Sequence, residues 1–176
     1  ANREGNLTRQ VWRVSCKGGK AEQVSSSETK IYELHWHPSG ESIAYIAKTP
    51  ETAREKSLQE KGYDFDFYEE NLKHRNLYLV DLKTKKTEQL TKGVTVWDFI
   101  FSPDGKTVAA SVSPKNLIDH KYAFRKIHVL DLESKQLWQL SNNPGKLGNY
   151  AFSPDGQNLV YAAALTQNDN AVSQAY

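Results

Sequence analysis

The stretch Ile100-Phe101-Ser102-Pro103-Asp104-Gly105-Lys106-Thr107-Val108-Ala109-Ala110 decides the fold. It reads as an apolar strand end, a tight turn and a second apolar strand. Pro103 fixes φ near the value that the first turn position requires. Asp104 can hydrogen-bond its own backbone, and Gly105 can take a positive φ. The residues on either side alternate or run apolar, as strands do.

The unit recurs. Ala151-Phe152-Ser153-Pro154-Asp155-Gly156-Gln157-Asn158-Leu159-Val160-Tyr161 nearly repeats it, and His35-Trp36-His37-Pro38-Ser39-Gly40-Glu41-Ser42-Ile43-Ala44-Tyr45 is a diverged copy. Gly40 to Gly105 is 65 positions, and Gly105 to Gly156 is 51. A second marker keeps step. Hairpins that open at Gln10-Val11-Trp12, Asn76-Leu77-Tyr78 and Lys126-Ile127-His128 end at Glu22-Gln23-Val24, Glu88-Gln89-Leu90 and Trp138-Gln139-Leu140, with spacings of 66 from Gln23 to Gln89 and 50 from Gln89 to Gln139. Two markers whose spacings agree to within one residue define one repeat with a variable insertion. A period of about 40–50 residues built from four strands is the signature of a propeller blade.

The expected fold is therefore all-β, a partial β-propeller of four-stranded antiparallel blades with one short helical insertion. Residues 1–24 read as a half blade, 31–90 as a complete blade carrying an insertion at 48–75, 95–140 as a second complete blade and 147–176 as another half blade. In the first pair the strands are Val11 to Val14 and Lys20 to Val24, joined at Gly18-Gly19. Within the insertion, Thr49 as N-cap, Pro50 at the first helical position and a Lys56–Glu60 pair predict an exposed helix over 50–61. Tyr63, Phe65 and Phe67 then alternate with Asp64 and Asp66. A shorter insertion, Pro114 to Phe124, follows in the next blade. Propellers close with about four to eight blades, so the chain is expected to be part of a larger ring. The lack of methionine fits a processed or partial chain.

Composition narrows the function. Net charge is +2, with 25% charged residues of both signs mixed along 176 positions, which argues against a dedicated nucleic-acid surface. No apolar run is long enough to span a membrane, and the polar start carries no signal peptide. The one cysteine, Cys16, cannot form an internal disulfide and does not fix the compartment. No Gly-x-Ser-x-Gly elbow, phosphate loop, HExxH or paired-Cys motif occurs, so no catalytic residue and no cofactor is expected in this segment. His35 and His37 share a strand face but lack a third metal ligand, and they occupy the repeat positions of Ile100 and Ser102. His74, His120 and His128 stand alone as surface or interblade hydrogen-bonders. Ser102 and Ser153 are turn residues whose hydroxyls bond local backbone, and Asn6-Leu7-Thr8 is a glycosylation triplet common by chance.

The long insertion is the candidate binding element. Asp64, Asp66, Glu69 and Glu70 cluster among Tyr63, Phe65, Phe67 and Tyr68, and Lys73, His74 and Arg75 follow. Clustered carboxylates can receive a ligand ammonium, and Arg75 can grip a carboxylate with two parallel hydrogen bonds. The competing reading is an aromatic staple with self-neutralising surface pairs, which contribute little.

The repeated Phe-Ser-Pro-Asp-Gly followed by an apolar strand resembles the TolB-like propeller repeat. Arg9 to Val24 and Glu60 to Tyr78 are similar to the propeller of prolyl-oligopeptidase-family serine peptidases, in the acylaminoacyl-peptidase and dipeptidyl-peptidase branches. That resemblance implies a non-catalytic propeller that gates and orients peptide substrates for a hydrolase domain of the same polypeptide, in a periplasmic or secreted setting. It implies that the catalytic triad lies outside this chain. Tyr68-Glu69-Glu70 is similar to the Tyr-Glu-Glu that grips a substrate amino terminus in dipeptidyl-peptidase relatives, although here it precedes Leu77-Tyr78-Leu79 rather than a strand leading into the Ser-Pro turn. The expected substrate-binding residues are Tyr68, Glu69, Glu70 and Arg75. A TolB-like interaction platform, a propeller joined to a metal-dependent amidohydrolase, and a homo-oligomer stay open as alternatives.

Overall fold

The computed structural model describes residues 8–63 and 72–167. The strands are β1 (Trp12–Arg13), β2 (Glu22–Gln23), β3 (Ile31–Trp36), β4 (Ser42–Lys48), β5 (Arg75–Asp81), β6 (Thr87–Gln89), β7 (Thr95–Phe101), β8 (Thr107–Ser113), β9 (Lys126–Asp131), β10 (Leu137–Gln139), β11 (Leu147–Phe152) and β12 (Leu159–Ala163), with helices α1 (Ala53–Glu60) and α2 (Ile118–Ala123). They form antiparallel meanders: β1-β2, β3-β4-β5-β6, β7-β8-β9-β10 and β11-β12.

Every copy of the organising turn is built alike. The backbone N–H groups of His37, Ser102 and Ser153 donate to the carbonyls of Ser42, Thr107 and Asn158 at 2.8–2.9 Å. Gly40, Gly105 and Gly156 donate back to the same three residues at 2.9 Å, each glycine with φ between 72° and 74°. The Ser102 hydroxyl donates to Asp104 (2.6 Å) and accepts from Thr107 N (3.0 Å), and Ser153 does the same with Asp155 and Asn158. Both serines thus serve the turn, as their position implies.

The second marker has a physical reason too. The Gln23, Gln89 and Gln139 amides donate to the carbonyls of Ser25, Thr91 and Ser141, 2.7–2.8 Å away. The hydroxyls of those three residues accept from the buried N–H groups of Val11, Leu77 and Ile127 at 2.8–2.9 Å. Each hydroxyl thereby satisfies a backbone donor beyond the end of its short outer ladder.

The cores lie between sheets. Along β4, Ile43, Tyr45 and Ala47 pack with Val11 and Val24 of the preceding sheet, while Ala44 and Ile46 pack with Val96, Phe99, Val108 and Val112 of the following one. Ala109 and Ile127 meet Leu147, Tyr150 and Phe152 of the last pair. A strand buried on both faces must be apolar at successive positions, which explains why Ile43 to Ala47 and Val108 to Ala110 do not alternate. Each fully buried aliphatic side chain, such as Ile46, contributes about 1.5–3 kcal/mol.

Four local expectations change. The β1–β2 ladder is shorter than Val11–Val14 with Lys20–Val24, because its turn already starts at Ser15, whose carbonyl accepts from Gly18 N. Helix α1 is capped by Thr52 rather than Thr49: Thr52 Oγ1 accepts from Glu55 N and the Glu55 carboxylate accepts from Thr52 N at 2.6 Å, a reciprocal capping box. Lys56 pairs with Glu28 at 2.8 Å instead of with Glu60. The shorter insertion also holds a helix, α2, so the chain has two short helical insertions where one was expected. Its N-cap, Leu117, makes no side-chain cap bond, which left no signature to read.

Candidate functional site

Both insertions leave from the same end of the sheets. The Ser-Pro-Asp-Gly turns occupy one rim, and the loops after β4 and β8 occupy the opposite rim, because the strands alternate in direction. Thr49 closes the neck of the long insertion. Its N–H donates to the His74 carbonyl at 2.9 Å, and its hydroxyl accepts from Asn76 Nδ2 at 2.8 Å. Lys73 Nζ meets Glu55 Oε1 at 2.5 Å, and Asn116 of the second insertion donates to the Lys73 carbonyl at 2.8 Å. The two insertions are therefore tied to each other. Hydrogen bonds from Lys73 and from Thr52 hold the Glu55 carboxyl at about 2, below its ordinary 4.5.

Arg75, the first residue of β5, sits at this rim. Its guanidinium carbon lies 4.1 Å from the Tyr32 ring centroid and 4.5 Å from that of Trp97. Tyr32 and Trp97 stand 65 positions apart, the spacing of Gly40 to Gly105, so one cation is held between equivalent aromatic positions of consecutive sheets. Lys30 Nζ is also over the Tyr32 ring, 5.3 Å from its centroid. Arg75 Nε is buried without a hydrogen-bond partner, and burial lowers the guanidinium pKa.

Arg125 is the repeat mate of Arg75, 50 positions on, and its surroundings are different. Its terminal nitrogens donate to Asp98 Oδ2 at 2.9 Å and to the Leu147 carbonyl at 2.8 Å. Asp98 also accepts from the Ser111 hydroxyl at 2.8 Å and from the Tyr150 hydroxyl at 2.5 Å. Burial, then the adjacent Asp98 charge, pushes the Tyr150 hydroxyl well above its ordinary range. This cluster is a joint between the last two sheets in which both terminal nitrogens of Arg125 have oxygen acceptors, while its Nε, like that of Arg75, is buried without a partner.

Of the residues singled out in the sequence, Arg75 is placed as described. Tyr68, Glu69 and Glu70 lie outside the described residues, as do Asp64, Asp66, Phe65 and Phe67. His35 and His37 are interblade packers. The His35 ring meets Phe99 edge-on at 4.9 Å and its Nε2 donates to Glu33 at 2.9 Å. His37 Nε2 donates to the Gly105 carbonyl at 2.9 Å while its Nδ1 accepts from Ser39. His74 bridges to Thr95 Oγ1 at 2.9 Å. No group of three metal-ligating side chains occurs among the described residues. Sequence reasoning missed Tyr32, Trp97 and Lys30; the shared 65-residue spacing of the two rings was the available signal.

The comparisons with known proteins agree with this architecture. TolB from Acinetobacter baumannii superposes with a TM-score of 0.56 at 22% identity, covering 88% of this chain and 32% of that one. The β-propeller domain of the Trilobed protease from Pyrococcus furiosus superposes at 0.51 with 16% identity, covering 78% of this chain and 34% of that one. The chain has the TolB-like propeller fold. The sheets are accordingly blades: two of four strands and two pairs. No family model matches the chain. In sequence, this propeller segment is 28% identical over 172 residues to the uncharacterized peptidase YuxL of Bacillus subtilis, covering 97% of the chain and 20% of that protein. It thus spans about a fifth of the length of that curated relative.

Proposed function

We propose that this chain is a non-catalytic propeller segment of a prolyl-oligopeptidase-family serine peptidase. It gates and orients peptide substrates for a hydrolase domain of the same polypeptide, in a periplasmic or secreted setting. The observation that carries this reading is the 28% identity with a peptidase across 97% of the chain. The stretches Arg9 to Val24 and Glu60 to Tyr78, which resemble the acylaminoacyl- and dipeptidyl-peptidase branches, favour an exopeptidase. Glu69 and Glu70, with Tyr68, receive the peptide ammonium, and Arg75 adds a cation from the rim of the insertions. Carboxylates suit that task because an ammonium donates three hydrogen bonds and carries the complementary charge.

The test uses the full-length protein. Labelling by a serine-directed phosphonate probe, together with cleavage of short peptides but not of folded proteins, is the expected outcome. Glu69→Gln with Glu70→Gln then raises KM for peptides with a free amino terminus roughly tenfold or more, and leaves N-blocked peptides nearly unchanged. An equal effect on both substrates removes the amine-binding role. A protein that neither labels nor cleaves overturns the peptidase reading and leaves a TolB-like interaction platform in its place.

A further inference from the structure

We infer that Arg75, whose guanidinium lies against the Tyr32 and Trp97 rings, is a receptor for a carboxylate of the bound peptide. This rests on the peptide-binding part of the reading above and names the chemical group that the rim selects.

Two copies of one position contrast with each other. Arg75 and Arg125 occupy equivalent places in consecutive blades. Arg125 is consumed by the fold through Asp98 and the Leu147 carbonyl. The acidic acceptor is withdrawn from Arg75. The repeat mate of Asp98 is Glu33, and its carboxylate is engaged by His35 at 2.9 Å. The repeat mate of Trp97 in the last pair is Gly148, so the ring that the following blade offers Arg75 has no counterpart for Arg125, whose terminal nitrogens meet oxygen atoms instead. Arg75 has two rings against its guanidinium, one from each of two consecutive blades, and, among the described residues, no carboxylate or carbonyl partner. Lys30 likewise has no acidic partner among the described residues.

A guanidinium stacked on aromatic rings keeps its N–H edge for other partners, and that edge is a planar fork matched to a carboxylate. The orphaned buried Nε is common to Arg75 and Arg125; what distinguishes Arg75 is that its terminal nitrogens find no acceptor among the described residues, and unpaired donors are costly. The rings hold the side chain in place before a ligand arrives, so little rotamer entropy remains to be lost on binding. Arg75 lies at the rim of the tied insertions, where its ligand would meet the same surface as the rest of a peptide. The carboxylate has two sources, a peptide's own carboxy terminus or a Glu or Asp side chain.

The experiment measures peptide binding to the full-length protein by titration calorimetry, independently of turnover. Three probes are used: acetyl-tetraalanine with a free carboxylate, its carboxamide, and a carboxamide of the same length with one glutamate. Wild-type protein is expected to bind at least one carboxylate-bearing probe roughly tenfold or more tightly than the plain carboxamide. Preference for the free acid assigns the terminal carboxylate; preference for the glutamate probe assigns a side chain. Arg75→Gln abolishes the preference. Arg75→Lys, which keeps a cation against the rings and guards against misfolding, retains part of it. No preference in wild type, or a preference that survives in Arg75→Gln, overturns the inference. Carboxylate-selective binding without hydrolysis sinks the peptidase reading and leaves this one standing. Hydrolysis without carboxylate selectivity does the reverse.

Discussion

Gly105 and Gly156 hold the same turn position with φ of 73° and 72°, yet they are not equally replaceable. A Cβ on Gly105 would lie 2.7 Å from His37 Cε1 and 2.8 Å from His37 Nε2, whereas one on Gly156 would meet only Pro103 Cδ at 3.5 Å. Both substitutions incur the left-handed penalty of about 1–2 kcal/mol. Only Gly105→Ala also disturbs a packed ring and its 2.9 Å bond to the Gly105 carbonyl, at about 1–3 kcal/mol more. Denaturant unfolding of the two variants is expected to rank Gly105→Ala as the more destabilised by that margin. Equal losses would show that His37 swings aside without cost. His37 and Ser39 stand where the other copies have Ser and Asp, and the turn survives because the imidazole Nδ1 and the Ser39 hydroxyl bond each other at 2.8 Å.

At the scale of elements, helix α1 buries no side chain, so its ends decide whether it forms. Glu55 is the central group, serving both the cap and the Lys73 tie. Its carboxyl titrates at about 2 in the folded chain against an ordinary 4.5. A depressed folded-state pKa stabilises above the unfolded value, and that contribution is lost as pH falls through the folded one. The Cα chemical shifts of Ala53 to Glu60 are therefore expected to stay helical down to about pH 4.5 and to drift toward coil as pH approaches 2. In Glu55→Gln they should be less helical throughout and flat over that window. A flat wild-type profile would remove Glu55 from the account.

The elements also show what local sequence can and cannot reveal. The Ser-Pro-Asp-Gly turns were legible because every atom involved lies within one hairpin, and the recurring glutamines marked the hairpin ends, although the Ser and Thr hydroxyls that close them emerged only from the structure. The capping box of Thr52-Ala53-Arg54-Glu55 was legible too, but Thr49-Pro50 offered a rival start. Thr49 is instead drawn to His74 and Asn76, partners about 25 residues away that no local pattern exposes. The Arg75 contacts and the Arg125–Asp98–Tyr150 cluster have no local pattern for the same reason: each takes its atoms from two blades. Arg75 itself could be chosen by residue type, whereas its ring neighbours could be found only through their repeat spacing.

At the scale of the molecule, the cores alternate with the blades, and each joint has its own set of side chains. The outer hairpins repeat the pattern with ion pairs: Lys85 reaches Glu22 at 2.6 Å and Lys135 reaches Glu88 at 3.0 Å, each in the preceding blade. These pairs are exposed and contribute little. Energetic coupling should therefore follow the joints. Ile43→Val in the first joint and Ile127→Val in the third are expected to destabilise additively, to within about 0.5 kcal/mol. Ile46→Val with Val96→Ala, which share the middle joint, should deviate from additivity by about 0.5 kcal/mol or more. Equal behaviour of the two pairs in a double-mutant cycle would mean that the blades do not behave as separately packed layers.

One consequence follows from the stacked turns, where the ring of His37 lies against Gly105 and Pro103 lies against the position of Gly156. That rim works as a gauge that fixes the angle from each blade to the next. The opposite rim is thereby released from setting the geometry, and its loops differ freely, running over residues 49–74 in one blade and 114–125 in the next. Duplication and drift then have a division of labour built in: one edge of the ring preserves the pitch while the other is free to acquire new specificities.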